Sequence, residues 1–157
     1  MNSNTEDFAG RFWAACEKHG TGFLTLEGVA SARPHPMTAI PDKEADRLFF
    51  FTRTGNSLIP SGGSAAAVFY YASGGLFARV TGHLRVSNDE NKIAELWNVA
   101  VERWLPEGKD SPVVMLLELA PDDATIWVES KEPSVAQFLL GKLRKDHPTD
   151  RHATVSL

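Results

Sequence analysis

The sequence has 157 residues and a mass of 17.2 kDa, a length typical of one domain around one hydrophobic core. Sixteen Lys and Arg against twenty Asp and Glu give a formal charge of -4. This balance excludes a general nucleic-acid binder, because such binding requires an excess of clustered cations. A single cysteine excludes an intrachain disulfide. No apolar run approaches the ~20 residues of a membrane span, and the polar start lacks a signal-peptide pattern. We therefore expect a cytoplasmic protein that binds neither nucleic acid nor membranes.

The first predicted element is a helix over residues 3–19. Its apolar residues recur at helical spacing, and Ser3 and Glu6 have the spacing of a capping box. Gly20 stands where a C-terminal cap is expected. Cys16 lies on the apolar stripe with no neighbour that favours a thiolate, so we predict an inert core residue.

From residue 21 to about residue 130 the pattern changes to short strands. β-branched and aromatic runs are separated there by Pro, Gly, Asp and Asn. Five strands are predicted before residue 88, at 21–30, 35–40, 47–53, 65–72 and 76–86. Two more, at 112–120 and 123–130, are predicted to join through a turn at Pro121-Asp122-Asp123. Gly74-Gly75 predicts a hairpin turn.

Two further helices are predicted around these strands. Residues 89–104 carry an apolar helical stripe that Pro106 ends, and residues 134–145 carry another. The tail, 146–157, is predicted to be loose. Because the strands do not alternate with helices, a parallel doubly wound sheet is disfavoured. We expect one mainly β domain over 1–157, of α+β class, with an antiparallel barrel or strongly curved sheet and flanking helices. A small barrel has room only for side chains, so a ligand would lie outside it, where two subunits meet.

The sequence lacks the common catalytic motifs. The Gly62-Gly63 pair has neither Walker nor dinucleotide-binding spacing, although its loop remains a candidate anion site. The histidines show no metal-binding spacing, and there is no GxSxG elbow. Trp127 alternates with apolar neighbours on a late strand, so it either packs in an interface or stacks on a planar ligand. We identify no catalytic residue and no metal site.

The order of five segments resembles the FMN-binding split barrels of the pyridoxamine 5'-phosphate oxidase-like superfamily, and within them the general stress proteins. The segments are ARPHPMTA (32–39), LFFFT (48–52), VTGHLRVSNDENKIAELW (80–97), ERWLPEGKDSPVVMLLEL (102–119) and ATIW (124–127). The resemblance implies a homodimer of antiparallel split barrels with FMN, less readily FAD, at the subunit interface. It implies a cofactor site that comprises Arg33, His35, Met37, Thr38, Phe51, Thr52, Ser57 and, from the other subunit, Trp127.

Two positions depart from the pattern of the family. The family's arginine two residues before the methionine is His35 here, and the lysine of its Ser-x-Lys phosphate turn falls on Ile59. The resemblance therefore implies a flavin-binding general stress protein, with weak flavin-dependent oxidoreductase activity as one reading. The altered phosphate clamp argues against a true pyridoxamine 5'-phosphate oxidase. The alternative is a degenerate split barrel that has lost FMN and serves as a ligand- or protein-interaction module in the stress response. A haem-linked barrel with His35 or His83 as axial ligand is a third reading.

Overall fold

The computed structural model describes residues 7–129 and 151–157. Its first element, helix α1 (Phe8–Lys18), starts at an Asp7 cap whose carboxylate accepts from the Gly10 amide. The predicted capping box at Ser3 and Glu6 lies outside the described residues. The predicted C-terminal cap at Gly20 is wrong, since the helix ends at an extended His19. Gly20 is needed for another reason, because a Cβ there would collide with the carbonyl oxygen of Ala39.

The strands form one antiparallel sheet, which confirms the predicted fold class. Their bounds are β1 (Thr21–Leu26), β2 (His35–Thr38), β3 (Ile40–Asp42), β4 (Arg47–Arg53), β5 (Ser64–Ser73), β6 (Leu76–Ser87), β7 (Val114–Val128) and β8 (Arg151–Ser156). The order across the sheet is β2-β1-β5-β6-β7-β4-β3, and β8 pairs with β7. The predicted hairpin at Gly74-Gly75 joins β5 to β6.

The sheet curls because its two edge strands, β2 and β3, follow each other directly in the chain. β2 pairs with β1 at one edge, β3 pairs with β4 at the other, and only Ala39 separates β2 from β3. The Ala39 side chain is buried, and its amide donates to the Gly20 carbonyl at 2.8 Å. This one-residue link forces the edges together, so the sheet becomes a half-open barrel whose split lies between β2 and β4.

The two last predicted strands are a single strand, so the turn predicted at 121–123 is wrong. β7 runs unbroken through Pro121, and the register with β6 shifts between Thr81 and Gly82 opposite it. A bulge is one of the few strand positions that tolerate a proline. β7 pairs with β4 along its first half and with β8 along its second, which gives it partners over nearly its whole length.

The predicted helix 89–104 is two short helices, α2 (Glu90–Leu96) and α3 (Val99–Trp104). Trp97 is extended, and Asn98 caps α3 by accepting from the Val101 amide at 2.9 Å. Asn is a strong N-cap residue, and the Trp97 ring packs edge-on against Phe51 at 5.2 Å. The Asn98 cap and the contact between Trp97 and Phe51 interrupt the helix that the periodicity predicts as continuous.

The core fills the barrel with aromatic and aliphatic side chains. Phe12 of α1 packs against Trp13 and Tyr71, with ring centroids 5.7 and 5.6 Å apart. Cys16 is buried in the same cluster, as predicted, and burial raises the pKa of its thiol to about 12.

The end of the chain differs from the prediction in part. Residues 151–156 of the predicted loose tail form β8, because β7 offers an edge that a strand can pair with. The predicted helix 134–145 lies outside the described residues. Among the residues that are described, no helix has the length and apolar character to cross a membrane.

Candidate functional site

A cavity of about 780 Å³ opens at the split of the barrel, a volume typical of small-molecule sites. Its walls come from β2, from the end of β4 with the turn that follows, and from α3. The lining residues are Thr21, His35, Pro36, Met37, Thr38, Ile40, Phe51, Thr52, Arg53, Thr54, Gly55, Asn56, Ser57, Val101, Trp104 and Leu105.

Six of the eight predicted site residues line this cavity together: His35, Met37, Thr38, Phe51, Thr52 and Ser57. Arg33 is exposed on the loop before β2 and is not part of the lining. Trp127 is half-buried on β7, opposite Phe77 of β6. Trp127 was expected from a second subunit, so the roles of these two residues stay predictions.

Hydroxyl and imidazole groups gather at the turn after β4. His35 Nε2 and Ser57 Oγ are 2.9 Å apart in a hydrogen bond that joins β2 to this turn. The Asn56 side-chain amide donates to Thr52 Oγ1 at 2.8 Å, and its oxygen accepts from the Leu58 amide at 2.9 Å. Asn56 therefore fixes the turn on both sides and holds Ser57 toward the cavity.

Arg53 lines the cavity, and its guanidinium is already paired with the carboxylate of Glu107. Its Nε and Nη2 donate to the two Glu107 oxygens at 2.6 and 2.9 Å. These hydrogen bonds hold the pKa of Glu107 below its usual range and raise that of Arg53. Among the cavity-lining residues described, no other is Lys or Arg. The polar end of the cavity is therefore formed by hydroxyl, amide and imidazole groups.

The opposite wall of the cavity is apolar. Met37 and Phe51 line it from β2 and β4, and Val101 and Trp104 line it from α3, together with Leu105, which follows that helix. The sequence-based site omits Trp104, which lies on the predicted apolar stripe of residues 89–104. Its exposed fraction of 52% shows that it is not a core residue.

Ile59, which replaces the family's phosphate-turn lysine, and the Gly62-Gly63 loop, the candidate anion site, do not line the cavity. Ile59 packs against the hydrophobic core, beside a fully buried Leu58. The loop with Gly62 and Gly63 is also absent from the lining. Its proposed role in holding an anion therefore has no support from this cavity.

The described residues of the cavity do not form a complete set of groups for side-chain catalysis. Ser57 and His35 have the spacing of a nucleophile and a base, but in the part of the chain that the structure describes no carboxylate contacts the other His35 nitrogen. The described residues also contain no group of three His, Cys, Asp or Glu side chains that could hold a metal ion. The lining therefore combines apolar side chains with hydroxyl, amide and imidazole groups.

A second cavity, of about 790 Å³, lies between α2 and the loop 109–112. It shares only Thr54 with the first cavity, and none of the predicted site residues lines it. The first cavity is therefore the candidate site.

Comparison with known proteins supports the same assignment. Residues 7–148 match the family described as Pyridoxamine 5'-phosphate oxidase like. The crystal structure of the general stress FMN/FAD binding protein from Xanthomonas citri is 34% identical, with a TM-score of 0.73 over 83% of this chain and 95% of that one. A candidate general stress protein 26 from Jannaschia sp. CCS1 is 26% identical, with a TM-score of 0.77 over 96% of this chain and 98% of that one.

A more distant structure shares the fold. A Clostridium acetobutylicum protein related to general stress protein 26 is 12% identical, with a TM-score of 0.69 over 98% of this chain and 96% of that one. Among curated proteins, none matches this chain. The split barrel, the position of its cavity and the match over nearly the whole sequence lead to one conclusion: this chain belongs to the pyridoxamine 5'-phosphate oxidase-like family.

Proposed function

We propose that this chain is a flavin-binding protein of the general stress type that takes FMN in the cavity at the barrel split. The observation that carries the proposal is the convergence of six predicted flavin-site residues, from β2, β4 and the following turn, on one cavity. The name of the Xanthomonas citri protein, an FMN/FAD binding protein at 34% identity, supports it.

The residues of the cavity fit the two ends of FMN. Met37 and Phe51 offer apolar surface to a ring, while Ser57, His35 and Thr52 offer donors to a phosphate. Thr52 is buried, and its oxygen accepts from Asn56, so its hydroxyl proton is left to donate. The donors are hydroxyls and an imidazole instead of two cations, so we expect a weaker phosphate contribution than an Arg and Lys clamp provides.

The reaction that we propose is a weak flavin-dependent oxidation or reduction. A bound flavin supplies the redox chemistry, and the protein supplies binding, orientation and exclusion of water. A true pyridoxamine 5'-phosphate oxidase would have to bind a second phosphate, that of its substrate. Arg53, which Glu107 already pairs, is a poor candidate for that task.

We also propose that the protein is a homodimer that uses an aromatic face outside the sheet. Phe23 and Tyr70 are cross-strand partners on β1 and β5, and their exposed fractions are 52% and 43%. Phe77 of β6 is 41% exposed, and Trp127 lies beside it on β7. Exposed aromatic side chains grouped on one face are typical of an interface. Tyr70→Glu should shift the sedimentation coefficient toward a monomer, whereas Val99→Glu, an exposed residue on α3, should not.

Absorbance and titration test the proposed cofactor. We expect freshly purified protein to be yellow, or to quench FMN fluorescence with a Kd below about 10 μM, near -7 kcal/mol. FAD and riboflavin are titrated in parallel to rank the ligands. A colourless protein that ignores millimolar FMN would overturn the proposal and leave the interaction module as the better reading. The features that favour this second hypothesis are Ile59, which packs against the core where the family has a lysine, the glycine-rich loop 62–63, which does not line the cavity, and the neutralised Arg53.

A further inference from the structure

Trp104 is an unusual residue for the end of a short helix. Val101, three residues earlier in α3, and Leu105, which caps the helix, are both buried, so the helix packs against the protein without the indole. The Trp104 side chain nevertheless stays 52% exposed and lines the apolar wall of the cavity. A large aromatic side chain left facing a cavity is available to a ligand, because covering it removes apolar surface from water.

The backbone of Trp104 is held in place from the opposite wall. Arg53 Nη2 donates to the Trp104 carbonyl oxygen at 2.7 Å, while Nε and Nη2 bind Glu107. Arg53 thus ties the end of β4 to both the last residue of α3 and the turn that follows. The Leu105 amide donates to the Val101 carbonyl at 2.9 Å, which anchors the same turn to the helix.

We propose that Trp104 is the platform on which the ring of a flat aromatic ligand stacks, and that the Arg53–Glu107 ion pair positions this platform. The proposal rests on the flavin-binding function above and adds to it a specificity-determining residue and a positioning pair. Trp104 contacts the ligand, whereas Arg53 and Glu107 act on the ring through the backbone of Trp104.

The chemistry of the pair explains why an arginine is needed. A guanidinium presents several N–H groups in a rigid plane, so it binds a carboxylate and a carbonyl at the same time. A lysine carries a single ammonium on a flexible stem and cannot reproduce this fork. Stacking of an aromatic side chain on a heterocyclic ring contributes about 1–3 kcal/mol, which corresponds to roughly five- to hundredfold in affinity.

The test uses two probes, FMN and lumiflavin, which has the same ring without the ribityl phosphate. Fluorescence titration is carried out on wild type, Trp104→Ala, Trp104→Phe and Val99→Ala. We expect Trp104→Ala to weaken both probes by the same factor, roughly five- to hundredfold, and Trp104→Phe to retain most of the affinity. Val99→Ala is the matched control, because Val99 is exposed on the same helix but does not line the cavity.

A double-mutant cycle tests the positioning pair. Arg53→Lys should weaken lumiflavin binding in the wild-type background and leave it unchanged in the Trp104→Ala background, since Arg53 acts through the platform. Glu107→Gln should also weaken lumiflavin binding in the wild-type background, by a smaller factor, and leave it unchanged in the Trp104→Ala background. Lumiflavin carries no phosphate, so a direct contact between Arg53 and an anion does not enter this measurement. Equal effects in both backgrounds would overturn the positioning role.

The possible outcomes separate this inference from the proposed function. If wild type binds FMN and Trp104→Ala binds it equally well, the platform is wrong and the FMN proposal stands. If lumiflavin binds in a Trp104-dependent way and FMN does not bind, the platform stands and the FMN proposal is overturned. Binding of neither probe overturns both. A Trp104→Ala protein that changes only its oligomeric state also overturns the platform, because the indole would then belong to an interface.

Discussion

The phosphate end of the proposed site gives the sharpest prediction, which concerns Ser57→Ala. When His35 Nε2 carries its proton, it donates to Ser57 Oγ across 2.9 Å, and the Ser57 hydroxyl proton is free to donate to an anion. Removing this hydroxyl deletes one hydrogen bond to the phosphate and the contact that orients the imidazole. The expected loss falls on FMN and leaves riboflavin, which lacks the phosphate, unaffected.

The expected magnitude follows from the kind of bond that is lost. A hydrogen bond to a charged group contributes about 1.5–3 kcal/mol, or roughly ten- to hundredfold in affinity. Because Ser57 and His35 are hydrogen-bonded to each other, the loss in the double variant Ser57→Ala, His35→Ala should be smaller than the sum of the single losses.

The assay is the ratio of the riboflavin and FMN dissociation constants, measured by calorimetry for wild type and each variant. The ratio cancels any change in ring binding. Thr21→Val is the matched control, since Thr21 lines the cavity and its hydroxyl bonds to Thr38, away from the turn. We expect Thr21→Val to keep the wild-type ratio. A ratio that stays unchanged in Ser57→Ala would show that the phosphate does not bind at the turn after β4.

Three predictions concern the scaffold. Phe12→Ala should lower the free energy of unfolding by about 3–5 kcal/mol in urea titrations, because this ring is fully buried. A loss below about 1 kcal/mol would contradict its place in the core. Burial raises the pKa of Cys16 to about 12, so a thiol reagent at pH 8 should label it slowly in native protein and rapidly in urea. Equal rates would refute the burial. The Lys92 hydrogen bond holds the pKa of Asp42 below its ordinary value. The stability that this bond contributes is therefore fully present above the pKa of Asp42 in the unfolded chain. It is lost as the pH falls through the lower pKa of Asp42 in the folded protein. Lys92→Met should therefore reduce stability at pH 7 and by progressively less below roughly pH 4; a difference that does not change with pH would contradict the coupling.

Local patterns in the sequence were sufficient for most of the scaffold. The apolar stripe of α1, the period-two runs of β1 and β6 and the glycine turn at 74–75 each depend on contacts between near neighbours in the chain. Their periods are therefore visible in the sequence. The order of the motifs along the chain also predicted the split barrel, and the resemblance to that family identified six of the residues that line the cavity.

Competition between local and tertiary interactions explains the errors. Pro121 is typical of a turn, yet the bulge opposite Gly82 lets β7 continue through it. Asn98 interrupts a helical stripe because it caps α3. Residues 151–156 carry no strong strand pattern of their own and become β8 because the edge of β7 is open to them.

Residue types at fixed spacing were enough to predict the α+β class of the fold and the family to which the chain belongs. Which residues line the cavity depends instead on contacts between distant parts of the chain. Arg53 and Glu107 are 54 positions apart and meet because β4 ends beside the turn after α3. Trp104 lines the cavity while Val101 of the same helix is buried, and Ile59 packs against the core. Spacing along the chain cannot encode these outcomes, since each depends on which distant surfaces the closed barrel brings together.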